Sequence, residues 1–235
     1  MLMHSSAPLA AHQIVDPSSV AEAMTLTALL RAQNKVAFNA KRTIFHEEAP
    51  ADSVLLLESG TVSLFRFLPN GRRLISRFLF AGDIIGLSFD DEYPVSAECV
   101  TPVTAYQLSR SVLQRLCAHS PALQNDVVRV LKGELTSEHE DHLPLMHQPS
   151  DSRVARLLRM VARRNGAECQ KGLPIQLLMT RGDIADYLGL TNETVSRSFK
   201  KLKDQGVISE SSPNLIRVED VQRLMSLADG EEASA

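Results

Sequence analysis

Tryptophan is absent from the 235 residues, aromatic side chains make up only 5% of them, and cysteine occurs three times. Cys99, Cys117 and Cys169 stand far apart with no C-x-x-C spacing, which excludes a disulfide framework and a zinc or iron–sulfur signature. Long apolar runs are missing as well. The N-terminal stretch MLMHSSAPLAAHQIV has neither the basic head nor the apolar run of a signal peptide, and nothing downstream approaches a membrane span. The expectation is a soluble cytoplasmic protein with no membrane partner. Histidine is also scarce where an enzyme of the metal-dependent barrel type would need it, since His46 is alone between residues 36 and 108. The pair His139 and His142 in EHEDH has no third ligand at a dictated spacing and reads as a solvated helix face. No metal, cofactor or enzymatic activity is expected.

Strong charge of one sign is the last absence. The formal net charge is −3 and the isoelectric point about 6.2, so a nucleic-acid or membrane partner would have to be met by a local patch. Such a patch exists. Residues 149–203 carry eleven Lys or Arg against five Asp or Glu, whereas 1–148 carry twelve against sixteen and 204–235 two against seven.

What is present begins with a 44% hydrophobic content, enough for two modest domains. Residues 1–35 read as an N-terminal arm in which Val20, Met24, Leu26 and Leu30 form one short helix. From 36 to 108, short apolar runs (SVLLLES, TVSLFRFL, RLISRFLF, PVSAECV, VTAYQL) alternate with glycine-rich turns, a β sandwich or roll, with PNG at 69–71 as a hairpin turn. From Ser109 the period becomes helical: SRSVLQRLCAH stops at Pro121, and a longer helix runs toward His142. In it Leu123, Val127, Val130, Leu131 and Leu135 recur at spacings of three and four. That stripe packs either on its own domain or on a second copy of itself.

Pro144 and Pro149 mark a boundary, after which Ser150 or Ser152 is expected to cap RVARLLRMVARR, followed by a strand IQLLM. In TRGDIADYLGLTNETVSRSFKKLKDQG, residues 180–206, Ile184, Ala185 and Leu188 give the first helix its apolar face and Gly189 suits the turn. Thr191 caps a second helix that buries Val195, Phe199 and Leu202 and leaves Glu193, Ser196, Arg197 and Lys200 outside. Two strands around Ser-Pro-Asn and a short helix follow. The whole is a winged helix-turn-helix over 149–228, with an acidic tail, 229–235, expected to be disordered. A carboxylate at the head of a DNA-reading helix has a use: Glu193 can accept from a cytosine amino group while Arg197 donates bidentately to guanine. The blander account is an i, i+4 pair between them. Thr180, Arg181, Thr191, Lys200, Lys201 and Lys203 are candidates for the DNA backbone.

RGDIADYLGLTNETVSRSFKKLKDQGVI resembles the recognition unit of the Crp–Fnr family, and NGRRLISRFLFAGDIIGL and ESGTVSLFRF resemble its β domain. VSAECV and ETVSR bring the chain nearest the FixK group. The resemblance spans about residues 36–227 and implies an α+β fold: an N-terminal antiparallel, jelly-roll-like sensory β-roll, a long dimerisation helix over 109–148, and the winged reader. It further implies a homodimer that reads a palindrome of TTG and CAA half-sites through Glu193, Ser196 and Arg197, with Asn192 beside an adjacent base, and that recruits RNA polymerase. The FixK likeness implies an activator of genes for oxygen limitation, nitrogen fixation or denitrification. Two departures bear on control. Leu87 and Val95 stand where cyclic-AMP-binding members carry a ribose-binding glutamate and a phosphate-pairing arginine, so no cyclic AMP is expected. No cysteine precedes Cys99, which removes the family's N-terminal cluster ligands. The alternative is a regulator gated by an unidentified small ligand or by cysteine oxidation, with Cys169 the candidate thiol.

Overall fold

Residues 25–88, 90–142, 148–164, 170–172, 174–212 and 214–230 are described by a computed structural model, with backbone alone over 134–142. Val20, Met24, Cys169, the tail beyond Gly230 and the side chains of Leu135, His139 and His142 lie outside the described residues.

After helix α1 (Leu26–Arg31) come strands β1 (Lys35–Phe38), β2 (Thr43–Phe45), β3 (Ser53–Ser59), β4 (Val62–Phe67), β5 (Arg73–Leu79), β6 (Ile84–Ile85), β7 (Ser96–Cys99) and β8 (Val103–Ser109). They form two antiparallel sheets, ordered β1-β8-β3-β6 and β2-β7-β4-β5. The unbroken apolar run of β3 is explained by its position, because both faces are covered. Leu55 and Leu57 enter the core between the sheets with Val62, Leu79, Ala97 and Cys99. Val54 and Leu56 point the other way, onto Leu26, Leu29 and Leu30 of α1. The N-terminal arm is therefore corrected in part, since α1 belongs to the core of the roll. β4 and β5 form the expected hairpin, closed where the N–H of Leu68 donates to the carbonyl of Arg72 at 2.9 Å.

Helix α2 (Arg110–His119) leads to α3 (Pro121–His142), which opens with proline at its first position and has the Ser120 hydroxyl accepting from the N–H of Leu123 at 3.3 Å. The apolar stripe on α3 divides in two. Leu123, Val127 and Val130 pack on the roll with Leu113 and Leu116. Val128, missed in the sequence, is 37% exposed. Leu123, at 3% exposure, has no surface left for a second chain, which removes it from the expected dimer contacts.

The remaining elements are α4 (Ser150–Arg164), β9 (Pro174–Gln176), α5 (Arg181–Leu188), α6 (Asn192–Asp204), β10 (Ile208–Ser212), β11 (Leu215–Val218) and α7 (Val221–Asp229). Neither expected serine caps α4: Ser150 is its first helical residue, the Pro149 carbonyl accepts from the N–H of Arg153, and Ser152 is buried inside the helix. The strand over IQLLM is also shorter and earlier than expected, because its partner β11 begins at Leu215, opposite Gln176. Leu177 and Met179 are buried beyond it. The acidic tail starts later than expected, since α7 runs to Asp229 and Gly230 caps it in the left-handed region, φ 82°. The core of this C-terminal unit is continuous with Phe65, Ile75, Phe78 and Phe80 on the outer face of the second sheet.

Candidate nucleic-acid interface

Thr180 and Asp183 form a capping box that starts α5: the Thr180 hydroxyl accepts from the Asp183 N–H at 3.1 Å, and Asp183 Oδ2 accepts from the Thr180 N–H at 3.0 Å. Ile184, Ala185 and Leu188 are buried as expected. Gly189 ends the helix at φ 67°, a conformation that a Cβ would strain. Two residues on, the Thr191 hydroxyl accepts from the Thr194 N–H at 3.1 Å and starts α6. Val195, Phe199 and Leu202 seat α6 against α5 and α4, with Ser198 donating to Ser150 Oγ at 3.0 Å. The buried side leaves little freedom to the outer one. Asn192, Glu193, Ser196, Arg197, Lys200, Lys201 and Lys203 all project into solvent.

On that outer side Glu193 and Arg197 form an ion pair, with side chains 73% and 72% exposed. An exposed i, i+4 pair is worth only about 0.3–0.5 kcal/mol, so both groups can be drawn apart by stronger partners. Ser196 donates its hydroxyl to the Asn192 carbonyl at 2.9 Å and keeps its oxygen as an acceptor. The other cations differ. Arg181 lies flat over Phe199, 3.4 Å from the ring centre, and donates to Glu210 at 2.8 Å, while Lys203 stands 3.6 Å from the same carboxylate. Lys201 pairs with Asp151 of α4. Lys200 has no ion-pair partner among the described residues. Thr180 is a correction: its N–H and its hydroxyl both donate to Asp183, so it has no donor left for a phosphate.

Sequence reasoning missed the grip of the β-roll on this unit. Arg73, from β5, donates to Asp183 Oδ1 at 3.0 Å, to Glu98 at 3.1 Å and to Ser63 Oγ at 3.2 Å, and lies 4.3 Å over the Phe65 ring. Arg72 donates to the Leu190 carbonyl at 3.1 Å, and Arg164 pairs with Asp83 at 2.8 Å. The two hairpin arginines thus hold α5 at both ends. Burial by itself would raise the Asp183 carboxyl, but the Thr180 bonds, Lys41 and Arg73 outweigh it and hold it below the usual carboxylate value. No spacing rule links residues 73 and 183; the only signal was the doubled arginine after the PNG turn.

A cleft of about 470 Å³ opens on the roll beside Leu64, Ile84, Leu87, Tyr93 and Val95. Leu87 and Val95 both line it. Arg66 at its edge is tied to Glu47 at 2.7 Å and to the Pro94 carbonyl at 3.1 Å, and Tyr93 stacks on Phe45 at 3.8 Å. Burial pushes the Cys99 thiol up to about 11, with Glu98 adding to the shift, so this cysteine stays protonated and inert. No helix among the described residues is long and apolar enough to cross a membrane.

Comparison with known proteins agrees with this geometry. Residues 152–227 match the Crp-like helix-turn-helix domain, and residues 35–120 match the cyclic nucleotide-binding domain. The chain is 34% identical to the nitrogen fixation regulation protein FixK of Bradyrhizobium diazoefficiens over 181 residues, covering 74% of each chain. It is equally 34% identical to the transcriptional activatory protein AadR of Rhodopseudomonas palustris over 202 residues, 84% of this chain and 82% of that one. Among solved structures, FixK2 from Bradyrhizobium japonicum superposes with a TM-score of 0.77 at 29% identity, over 86% of this chain and 98% of that chain. A capped, outward-facing second helix beside a strand hairpin, on a chain with these relatives, defines a transcription regulator that binds DNA through its helix-turn-helix. This chain belongs to the Crp–Fnr family, within its FixK-like group.

Proposed function

We propose that this chain is a cytoplasmic homodimer that reads a palindrome of TTG and CAA half-sites and activates genes used under oxygen limitation, including those of nitrogen fixation or denitrification. The observation that carries the reading is the outer face of α6, where Glu193 and Arg197 are exposed one turn apart on a helix fixed by its buried side. Glu193 accepts from cytosine, Arg197 donates to guanine, and Ser196 and Asn192 contact neighbouring groups. Arg181, Thr191, Lys200, Lys201 and Lys203 meet phosphates. The relatives' printed names, a nitrogen fixation regulation protein and a transcriptional activatory protein, support the choice of genes and the direction of control. RNA polymerase is the partner that an activator of this kind would recruit.

In this reading the second copy docks on α3. The packing of Val127 and Val130 on the chain's own core and the exposure of Val128 support a contact made through Val128 and Leu131, with Leu135 kept from the expected stripe. The functional division runs from a sensory roll over 36–108 through a helical segment over 109–148 to a reader over 149–228. No cyclic AMP is needed. Leu87 and Val95, both of which line the cleft, stand where the family resemblance puts a ribose-binding glutamate and a phosphate-pairing arginine, and this supports the reading.

The test is fluorescence anisotropy at one fixed salt concentration, with a TTG and CAA palindromic duplex and a scrambled control, and no added effector. Preference for the palindrome supports the reading; equal binding to both rejects it. A second reading, in which an unidentified small ligand gates the reader, is favoured by the open cleft on the roll. Oxidation at Cys169 would be the same kind of gate with a different trigger. Either predicts that specific binding appears only after the ligand or an oxidant is supplied.

A further inference from the structure

Between α6 and the β10–β11 hairpin lies an open notch of about 500 Å³, lined by Arg181, Ser196, Lys200, Lys203, Glu210 and Ser212 over the ring of Phe199. Three cations and the Ser212 hydroxyl converge on this space, a donor set suited to a phosphate. It already holds one anion, the carboxylate of Glu210. One oxygen of Glu210 accepts from Arg181 at 2.8 Å, and the other lies 3.6 Å from Lys203. This contact spans two cations with two oxygens, as a phosphate would.

The two cations are not equally accessible. Arg181 is pressed onto Phe199, and burial lowers its pKa while Glu210 opposes that effect, so an anion beside it favours its charged form. Lys203 is half exposed, and Glu210 itself sits at the rim with 25% of its side chain accessible. The pairing of the wing strand with β11 shifts register between Glu210 and Ser212. The carboxylate can swing out about the three torsions of the glutamate side chain at the rim, whereas Arg181 is held against the Phe199 ring.

Resting on the DNA-reading function proposed above, we propose that the notch seats one phosphate of bound DNA and that Glu210 is its built-in counter-ion, displaced when the phosphate enters. In the free protein Glu210 offsets one of the three positive charges of the notch and so weakens binding to any sequence. On a matched site the base contacts of α6 hold the helix in register long enough for the phosphate to replace it. A wing carboxylate thereby raises specificity without touching a base.

The test is Glu210→Gln, which keeps the size of the side chain and an acceptor for Arg181, measured by anisotropy on palindromic and scrambled duplexes over a series of salt concentrations. Scrambled binding should tighten by about three- to tenfold, and the slope of log affinity against log salt should steepen by about one, because one more phosphate is neutralised by protein alone. The ratio of palindromic to scrambled affinity should fall. Glu210→Asp, one methylene shorter, should move each quantity the same way by a smaller amount. Unchanged or weaker scrambled binding with an unchanged slope in both variants would overturn the proposal and reduce Glu210 to a bracket for Arg181. A wild-type protein without palindrome preference would instead sink the reading of α6, and the salt slopes of the variants would still decide the notch.

Discussion

The seam between the β-roll and α5 and the outer face of α6 are built from the same chemistry, arginine against carboxylate, with opposite consequences. At the seam Arg73 is 19% exposed and is held by Asp183, Glu98 and Ser63 together. On α6, Arg197 is 72% exposed and has Glu193 as its one ion-pair partner among the described residues. Water accounts for the difference. Out of solvent, a charge left without its partner is costly, so the seam pair is structural; in solvent, the pair is weak and its members remain available to another ligand. The α6 face can exchange its partners because the seam does not.

The largest expected effect is at the seam. Arg73→Ala should destabilise the protein by about 2–3 kcal/mol in urea unfolding, since it strips a charge-assisted bond from each of two carboxylates, one of them buried. A loss below about 0.5 kcal/mol would erase the distinction between the regions. Next is Arg197→Ala, expected to cost about 1–3 kcal/mol of binding on the palindrome, far less on a scrambled duplex, and almost nothing in thermal stability. Equal losses on both duplexes would show that Arg197 serves the backbone and not a base.

A smaller effect follows from Asp183. Its carboxyl is held below 3.8 in the folded chain, so the folded state binds fewer protons than the unfolded one, and the stability this provides is fully present above about pH 4. It fades as pH falls through the lowered value. Asp183→Asn should therefore cost about 1–2 kcal/mol at pH 7, with the gap to wild type narrowing in melts as pH is lowered below the usual carboxylate range. A gap independent of pH would mean that the carboxylate charge is irrelevant to the cap. Smallest is Lys201→Ala: loss of this exposed cation should weaken palindromic and scrambled binding alike, by about two- to threefold, and flatten the salt slope by about one.

Elements governed by near neighbours along the chain are legible in the sequence itself. The hairpin at PNG, the left-handed Gly189, the Thr191 cap and the buried trio Val195, Phe199 and Leu202 all appear where local rules place them. Errors gather where a distant partner decides. IQLLM loses its last residues as strand because β11 is too short to pair with them. Neither Ser150 nor Ser152 caps α4, because the first is bonded to Ser198 of α6 and the second is buried. The stripe on α3 divides because the roll, not the helix, determines which half is covered.

The candidate site divides in the same way. That Glu193, Ser196 and Arg197 share an outward face follows from helical periodicity alone, since 3.6 residues per turn fixes direction once the buried face is known. Which carboxylate each cation meets does not follow, because Arg181 and Glu210 are 29 residues apart and Arg73 and Asp183 are 110 apart. By itself the sequence determined the succession of elements, their caps and turns, and the face of α6 turned to solvent, all products of short-range backbone geometry and periodic burial. Only the tertiary structure decided that the β-roll clamps α5 through Arg72 and Arg73, and that Arg181, Lys201 and Lys203 carry counter-ions from other elements. Ion pairs of this kind depend on distance and solvent exposure, and both are set when remote segments pack together.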